Sequence, residues 1–526
     1  MCALAIVAIA LLLRLVIASG ARNPGHADPA YYTTVAENLV DGRGFVIDYI
    51  WHFLARPNAL THYSNDYWMP LPSVFIASSF ILFGRSTFAA VLPSVLFVLA
   101  LFPLTYRVGR AYARSRFVAL SAASLVLFLP ALFEHSLVSD STAYYVVFAV
   151  ASLLCMILAA ENVRFLLLAS LFAALAHLTR QDGILLLVTL VIAVVASPKL
   201  PRDRHRILWL VLVFAVYVAT LSPLLVSNYR AFGSPLPAGP GKTPFLTAYE
   251  DLYSYSKELS LGAYLDWGTT QIVASKLDRA ARCATEVFNL LGGFAWAFVV
   301  LAGLDLARFG VQRRFRYAYI PPFLFLLTLL GFYVIIGTAV AEWAFWRTIP
   351  AMAPFLLVAV ASGIERSTPN RKTAIALVGL LVLLFACQGV QSARARIQRD
   401  NRIASELVRV RDVLDELAAA MPEQELVVMT RDPWEVYHWT RRRSVQIPND
   451  DLDTILEVAD RCGATHLLLP APREALNTIY AEERQDARLQ LVVSVPAPTM
   501  KQSDLKLFRF VRPPHPANAI VGRPVR

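Results

Sequence analysis

Nine apolar runs dominate this chain, at 2–20, 87–106, 117–133, 142–160, 207–226, 284–306, 320–340, 348–364 and 373–390. Each is about 20 residues long, the length a helix needs to cross roughly 30 Å of hydrocarbon. A segment in lipid must satisfy its own backbone hydrogen bonds, so runs of this kind restrict the chain to a bundle of membrane helices. Composition agrees: 57% of the 526 residues are hydrophobic and 17% are charged, far from the balance of a water-soluble globule. Two shorter runs, 165–178 and 181–197, flank Thr179-Arg180-Gln181-Asp182-Gly183. One span through that polar turn would bury charge in the bilayer, so the pattern predicts a hairpin of two short helices and about 11 transmembrane helices in all.

With 11 spans, the loops 107–116, 161–164, 198–206, 307–319 and 365–372 share one side, and they hold 16 Lys and Arg in 44 residues. That density marks the cytoplasmic face and places the other loops and the C-terminus outside. The net charge of +11 is thereby explained by orientation, and a nucleic-acid partner is excluded. A cleaved signal peptide is disfavoured at the first segment, which lacks a basic leader and carries Arg14 deep in its apolar stretch. Cys2, Cys155, Cys283, Cys387 and Cys462 lie far apart without CxxC or His-paired spacing, which argues against a zinc site or a disulfide scaffold.

Residues 1–390 thus read as a transmembrane domain with two long outer loops, 21–86 and 227–283. Within the first, the apolar stretch 70–84 is short for a span and fits a helix lying in the interface. The second begins with Gly and Pro and should be irregular before it turns helical. Beyond 391 the composition becomes that of a soluble domain: an amphipathic helix at 401–418, then strand 425–430, helix 433–439, strand 444–448, helix 451–462, strand 465–470, helix 473–486 and strands 489–495 and 505–511. The alternation predicts a small C-terminal α/β extracytoplasmic domain over 391–526.

Acidic residues beside a bilayer are costly, so their placement points to function. Asp28 lies at the mouth of the first span, in His26-Ala27-Asp28-Pro29-Ala30-Tyr31-Tyr32. Two readings stand: a general base accepting an acceptor hydroxyl's proton, or the N-cap of a helix over 29–40 with Pro29 at its first position. Asp140, in Glu134-His135-Ser136-Leu137-Val138-Ser139-Asp140, either coordinates a metal or orients a sugar hydroxyl, or caps the following span. Glu134 and His135 are potential metal ligands with it, although solvated or structural roles fit their spacing better. Arg180 either binds a lipid phosphate or pairs with Asp182. Arg230, Lys242 and Lys257 are candidate phosphate donors, while Ala238-Gly239-Pro240-Gly241-Lys242-Thr243 fails the spacing of a nucleotide-binding loop. Trp343 and Trp346 read as interfacial belt residues, whereas Arg347 facing the cavity would be a further phosphate ligand.

Taken in order, the Asp with paired tyrosines, the stretch Glu37-Asn38-Leu39-Val40-Asp41-Gly42-Arg43-Gly44-Phe45, the 70–84 helix, Ser136-Leu137-Val138-Ser139-Asp140-Ser141 and Leu178-Thr179-Arg180-Gln181-Asp182-Gly183 resemble the GT-C integral-membrane glycosyltransferases. Within them, the chain is similar to bacterial relatives of protein O-mannosyltransferases and of the aminoarabinose transferase acting on lipid A. The resemblance covers roughly 1–390, and Arg431-Asp432-Pro433-Trp434-Glu435 with its α/β pattern looks like the extracytoplasmic domain of many bacterial members. It implies an inverting glycosyltransferase of the plasma (inner) membrane that moves a sugar from a polyprenyl-phosphate donor to an extracytoplasmic protein, lipid or glycan, with Asp28 in the place of the family's first-loop base. Pro29 stands where the family often has a second acidic residue, and no family metal motif is matched, so metal dependence stays open. The competing class is a lipid or saccharide transporter, which also uses intramembrane charge and broken helices, but the sequence shows no internal symmetry between halves and, apart from Arg14 in the first span, no charge midway through its spans. A scaffold with decayed catalytic residues is a third class.

Overall fold

The computed structural model describes residues 2–55, 57, 59–113, 115–200, 204–292, 295–309, 316–336, 341–496 and 504–511. The chain forms two compact units.

The first unit comprises 1–47, 63–252 and 258–401 and is helical. Thr142–Leu158 is apolar all round, and every residue from Thr142 to Ile157 is buried, the mark of a helix enclosed by others. Around it pack Thr87–Tyr112 and Phe165–Thr179. Arg204–Phe232 instead leaves Ile207, Leu208, Val211 and Phe214 exposed, as a lipid-facing helix would. Among the described residues five helices are long and apolar enough to cross a membrane: Thr87–Tyr112, Arg204–Phe232, Tyr317–Ile336, Ala344–Ser367 and Arg371–Ala420. Six apolar helices of 10–17 residues accompany them, including Leu71–Phe83 at the expected interfacial stretch.

Several boundaries differ from the sequence reading for identifiable reasons. The expected span 117–133 stops at Phe128 because Leu129 precedes Pro130, which opens a separate short helix, Pro130–His135. The expected span 284–306 is divided: Thr269–Leu291 ends on Gly292, whose φ of 69° lies in the left-handed region that favours glycine, and a new helix begins at Ala295. The span at 373–390 and the amphipathic helix at 401–418 form one continuous helix, Arg371–Ala420. No glycine or proline lies between 390 and 420 to break it. The ends of several other readings, at 114, 201–203, 310–315, 337–340 and 497–503, lie outside the described residues.

The second unit comprises 48–62, 253–257 and 402–526. Its six-stranded sheet contains β1 (Tyr49–Ile50), β2 (Val428–Thr430), β3 (Ser444–Gln446), β4 (His466–Leu469), β5 (Leu489–Val495) and β6 (Leu505–Phe510), in the order β1-β3-β2-β4-β6-β5. The first four are mutually parallel, and β6 runs antiparallel to both β4 and β5. Val445, Met429 and Leu467 face Ile455 and Val458 of the helix Leu452–Arg461, while Val428 and Leu468 face Leu407, Val410 and Leu414 on the other side. A sheet apolar on both faces is what parallel strands require. Strand β1 and the 253–257 strap come from the two long loops; Asp450 fastens the strap by accepting from the Ser254 hydroxyl and the Tyr255 amide at 2.8 and 2.6 Å.

His466 in β4 is buried, with Nδ1 2.9 Å from Thr465 Oγ1 and Nε2 unpartnered. Burial, helped by the charge of Arg509 across the β4/β6 ladder, pushes its pKa down from 6.5 to about 4. The unfolded chain therefore takes up a proton near pH 6.5 that the folded chain refuses until pH 4. Stability should fall as pH drops through that window, by about 2 kcal/mol between pH 7 and 5. Thermal unfolding of the full chain in detergent should show this slope reduced in His466→Gln; identical slopes would contradict the assignment.

Candidate active site

The chain turns sharply before Asp28. Ala27 adopts φ 57°, ψ −103°, an unfavourable conformation for a residue with a Cβ, and the helix Asp28–Val40 starts immediately after it with residues 28–38 buried. Pro29 fits there because its missing N–H would have no helical partner anyway. The N-cap position is Ala27, with no side-chain cap, so the capping role weighed for Asp28 is not what the structure contains. The Asp28 carboxylate instead accepts from Nη1 of Arg347, an ion pair whose side chains are 11% and 20% exposed.

Two hydroxyl contacts tie this helix and the segment before it to the loop carrying Asp140: Thr33 Oγ1 lies 3.3 Å from Ser139 Oγ, and Ser139 Oγ donates to Pro24 O at 3.4 Å. Arg14 reinforces the loop from the first helix, donating through Nε to Ser136 Oγ at 2.8 Å with its guanidinium 4.3 Å from the Phe133 ring centre. Asp140 accepts from the Thr142 N–H at 2.8 Å and its hydroxyl at 3.2 Å, so it does secure the start of Thr142–Leu158. Burial pushes its carboxyl up, but His135, the Arg347 charge and the Thr142 N–H outweigh this and hold it below the usual carboxylate range. His135 Nδ1 stands 3.7 Å from that carboxylate, and its ring lies 4.3 Å from the ring of Trp346, the residue before Arg347.

Arg180 falls in the break between Phe165–Thr179 and Ile184–Ala196, as the polar interruption predicts. Its Nε and Nη2 reach Asp182 Oδ2 at 2.9 and 2.7 Å, and Nη1 reaches Ser141 Oγ at 3.2 Å, next to Asp140. Tyr145 lies beneath the guanidinium at 5.9 Å. The charges of Asp28, Asp140 and Arg180 all act on Arg347. Four of the sequence candidates thus share one electrostatic environment.

Of the remaining candidates, Lys257 belongs to the second unit and Arg230, Lys242 and Glu134 to the first. Arg230 is exposed on the last turn of Arg204–Phe232. Lys242 is half-buried at the end of the short helix Ala238–Lys242. Glu134 is engaged by Arg396 at 3.2 Å, away from the ligand role considered for it. No group of three His, Cys, Asp or Glu is arranged to hold a metal among the described residues. Sequence reading missed the Asp28–Arg347 pairing, which links positions 319 apart, and the place of Tyr145 under Arg180; the tyrosine pair Tyr144-Tyr145 at the start of an apolar span was the available signal for the latter.

Comparison with known proteins bears on this arrangement. Residues 69–226 match the family described as dolichyl-phosphate-mannose-protein mannosyltransferase. ArnT from Cupriavidus metallidurans, solved bound to undecaprenyl phosphate, superposes with a TM-score of 0.60 at 14% identity over 96% of this chain and 97% of that one. The oligosaccharyltransferase AglB of Archaeoglobus fulgidus, solved with an inhibitory peptide and a dolichol-phosphate, gives 0.56 at 13% identity over 89% of this chain and 69% of that one. No curated protein matches the chain. At such identities the structural likeness defines the fold. Residues 69–226 are thus similar to that mannosyltransferase family, and the fold of the chain is like that of ArnT and AglB.

Proposed function

We propose that the protein transfers a sugar from a polyprenyl-phosphate donor to an acceptor on the extracytoplasmic side of the plasma membrane, with inversion at the anomeric carbon. The observation that carries this reading is the pairing of Asp28 with Arg347 in a buried site that also holds Arg180 and Asp140. Such a site offers a carboxylate base and cationic phosphate ligands within one low-dielectric space, where each is most effective. Support also comes from the polyprenyl phosphates held by two proteins of the same fold.

In the proposed step the acceptor hydroxyl attacks the anomeric carbon and gives its proton to Asp28. The bond from that carbon to the phosphate oxygen breaks, and its electron pair leaves with the polyprenyl phosphate, whose charge Arg347 and Arg180 stabilise. Arg230 and Lys242 are proposed to guide the phosphate toward the site, and Asp140 to orient the sugar or the neighbouring cations. The density of Lys and Arg in the loops 107–116 and 198–206 supports a cytoplasmic position for them and an outer one for the site and the α/β unit.

Mass spectrometry of lipid-linked sugars and envelope glycans, with and without the protein, tests the reading. Its removal should leave a polyprenyl-phosphate sugar to accumulate and one sugar residue missing from an envelope acceptor. If both inventories stay unchanged, the proposal fails.

A further inference from the structure

Resting on the donor and base roles just proposed, we infer that Arg347 is exchanged between two anions: it holds Asp28 while the site is empty, and the donor phosphate takes it over, freeing the Asp28 carboxylate to accept the acceptor's proton. Donor binding and release of the base are then one event. The site would stay inactive toward hydroxyl groups until a donor is present.

Two independent observations lead here. The first is charge. Asp28, Asp140 and Asp182 face Arg180 and Arg347, with His135 3.7 Å from Asp140, so each guanidinium group is already paired with a carboxylate before a phosphate arrives. Asp182 already takes two hydrogen bonds from Arg180. A phosphate that entered without displacing a carboxylate would meet guanidinium groups already engaged by carboxylates, and in a poorly solvated site the repulsion between neighbouring anions is severe. Arg347 is the cation whose partner is a single carboxylate at a helix start, where the helix N-terminus can go on stabilising the released charge. The second observation is an unused donor. Arg347 Nε is buried without a hydrogen-bond partner, although Nη1 is engaged by Asp28. A guanidinium presents paired N–H groups to a phosphate, and this one keeps part of its fork unoccupied within the site.

The inference gives the carboxylate an unusual signature. A residue needed for turnover should weaken donor binding, because it competes with phosphate for Arg347. The test measures undecaprenyl phosphate binding to the full-length protein in nanodiscs by microscale thermophoresis. Wild type should bind measurably, and Asp28→Asn and Asp28→Ala should bind about 10-fold more tightly, the scale of a modest coupling between two ligands of one group. Asp28→Glu, which keeps the charge, should stay close to wild type, and Arg347→Gln should bind more weakly than wild type. Unchanged or weaker binding by folded Asp28→Asn and Asp28→Ala would overturn the exchange while leaving the base role standing. Absence of binding by wild type would overturn the donor reading and the exchange with it. Infrared difference spectra of wild type with and without undecaprenyl phosphate read the same event without substitution. A change in a carboxylate stretching band supports the exchange, and no carboxylate change overturns it.

Discussion

Asp28→Asn should lower the rate of sugar transfer by about 10²–10⁴-fold, the usual contribution of a positioned general base, with the protein still folded. Asn keeps the size of the side chain and offers Arg347 a carbonyl oxygen, but its amide cannot take up the acceptor's proton. The helix begins at Asp28 with Ala27 in the cap position, so the substitution removes no cap. Asp28→Ala discards the Arg347 contact as well, which leaves a buried guanidinium with less compensation and should reduce folded yield. If Asp28 only stabilised the fold, transfer per folded molecule would be normal in both variants, and Asn would outperform Ala in yield alone. Purified Asp28→Asn turning over a polyprenyl-phosphate sugar within a few-fold of wild type would remove Asp28 from the mechanism.

Legibility in the sequence followed the range of the interaction involved. The break at Thr179–Gly183 was readable because five polar or small residues in an apolar stretch have a single cheap solution, a turn. The alternation after 425 was readable for the same local reason, and the strands His466–Leu469 and Leu505–Phe510 fall where periodicity put them. Strand Tyr49–Ile50 was not readable: two residues cannot display an alternation, and its partner is Ser444–Val445, far along the chain. The helix Arg371–Ala420 misled because its composition changes from apolar to amphipathic while its backbone continues. At the site, Asp28, Asp140 and Arg180 each stood out as charges beside apolar runs, whereas the partner of Asp28 is set by tertiary packing and leaves no trace in local spacing. Arg230, chosen for its phosphate-binding chemistry, lies exposed on the last turn of its helix.

Gly183→Ala should destabilise the protein by about 3 kcal/mol, the upper end of overpacking costs, and should reduce transfer per folded molecule as well. A Cβ at this position would lie 2.2 Å from the backbone nitrogen of His177, 2.4 Å from its Cα and 2.5 Å from the carbonyl carbon of Ala176. All three are main-chain atoms of the helix Phe165–Thr179, so no side chain can swing aside. The backbone itself, at φ −57° and ψ −22°, suits any residue, which makes the effect one of space and not of conformational freedom. Relief requires the turn to open, and the turn holds Arg180 against Asp182 and Ser141. Gly379, inside Arg371–Ala420, supplies the contrast because nothing lies within 4 Å of its hypothetical Cβ. There the alanine gains helix propensity without a clash, and Gly379→Ala should stabilise by about 0.5–1 kcal/mol. Thermal unfolding of both variants in one detergent should therefore shift in opposite directions, and a Gly183→Ala protein as stable and active as wild type would show that the Arg180 turn is not held by this close approach.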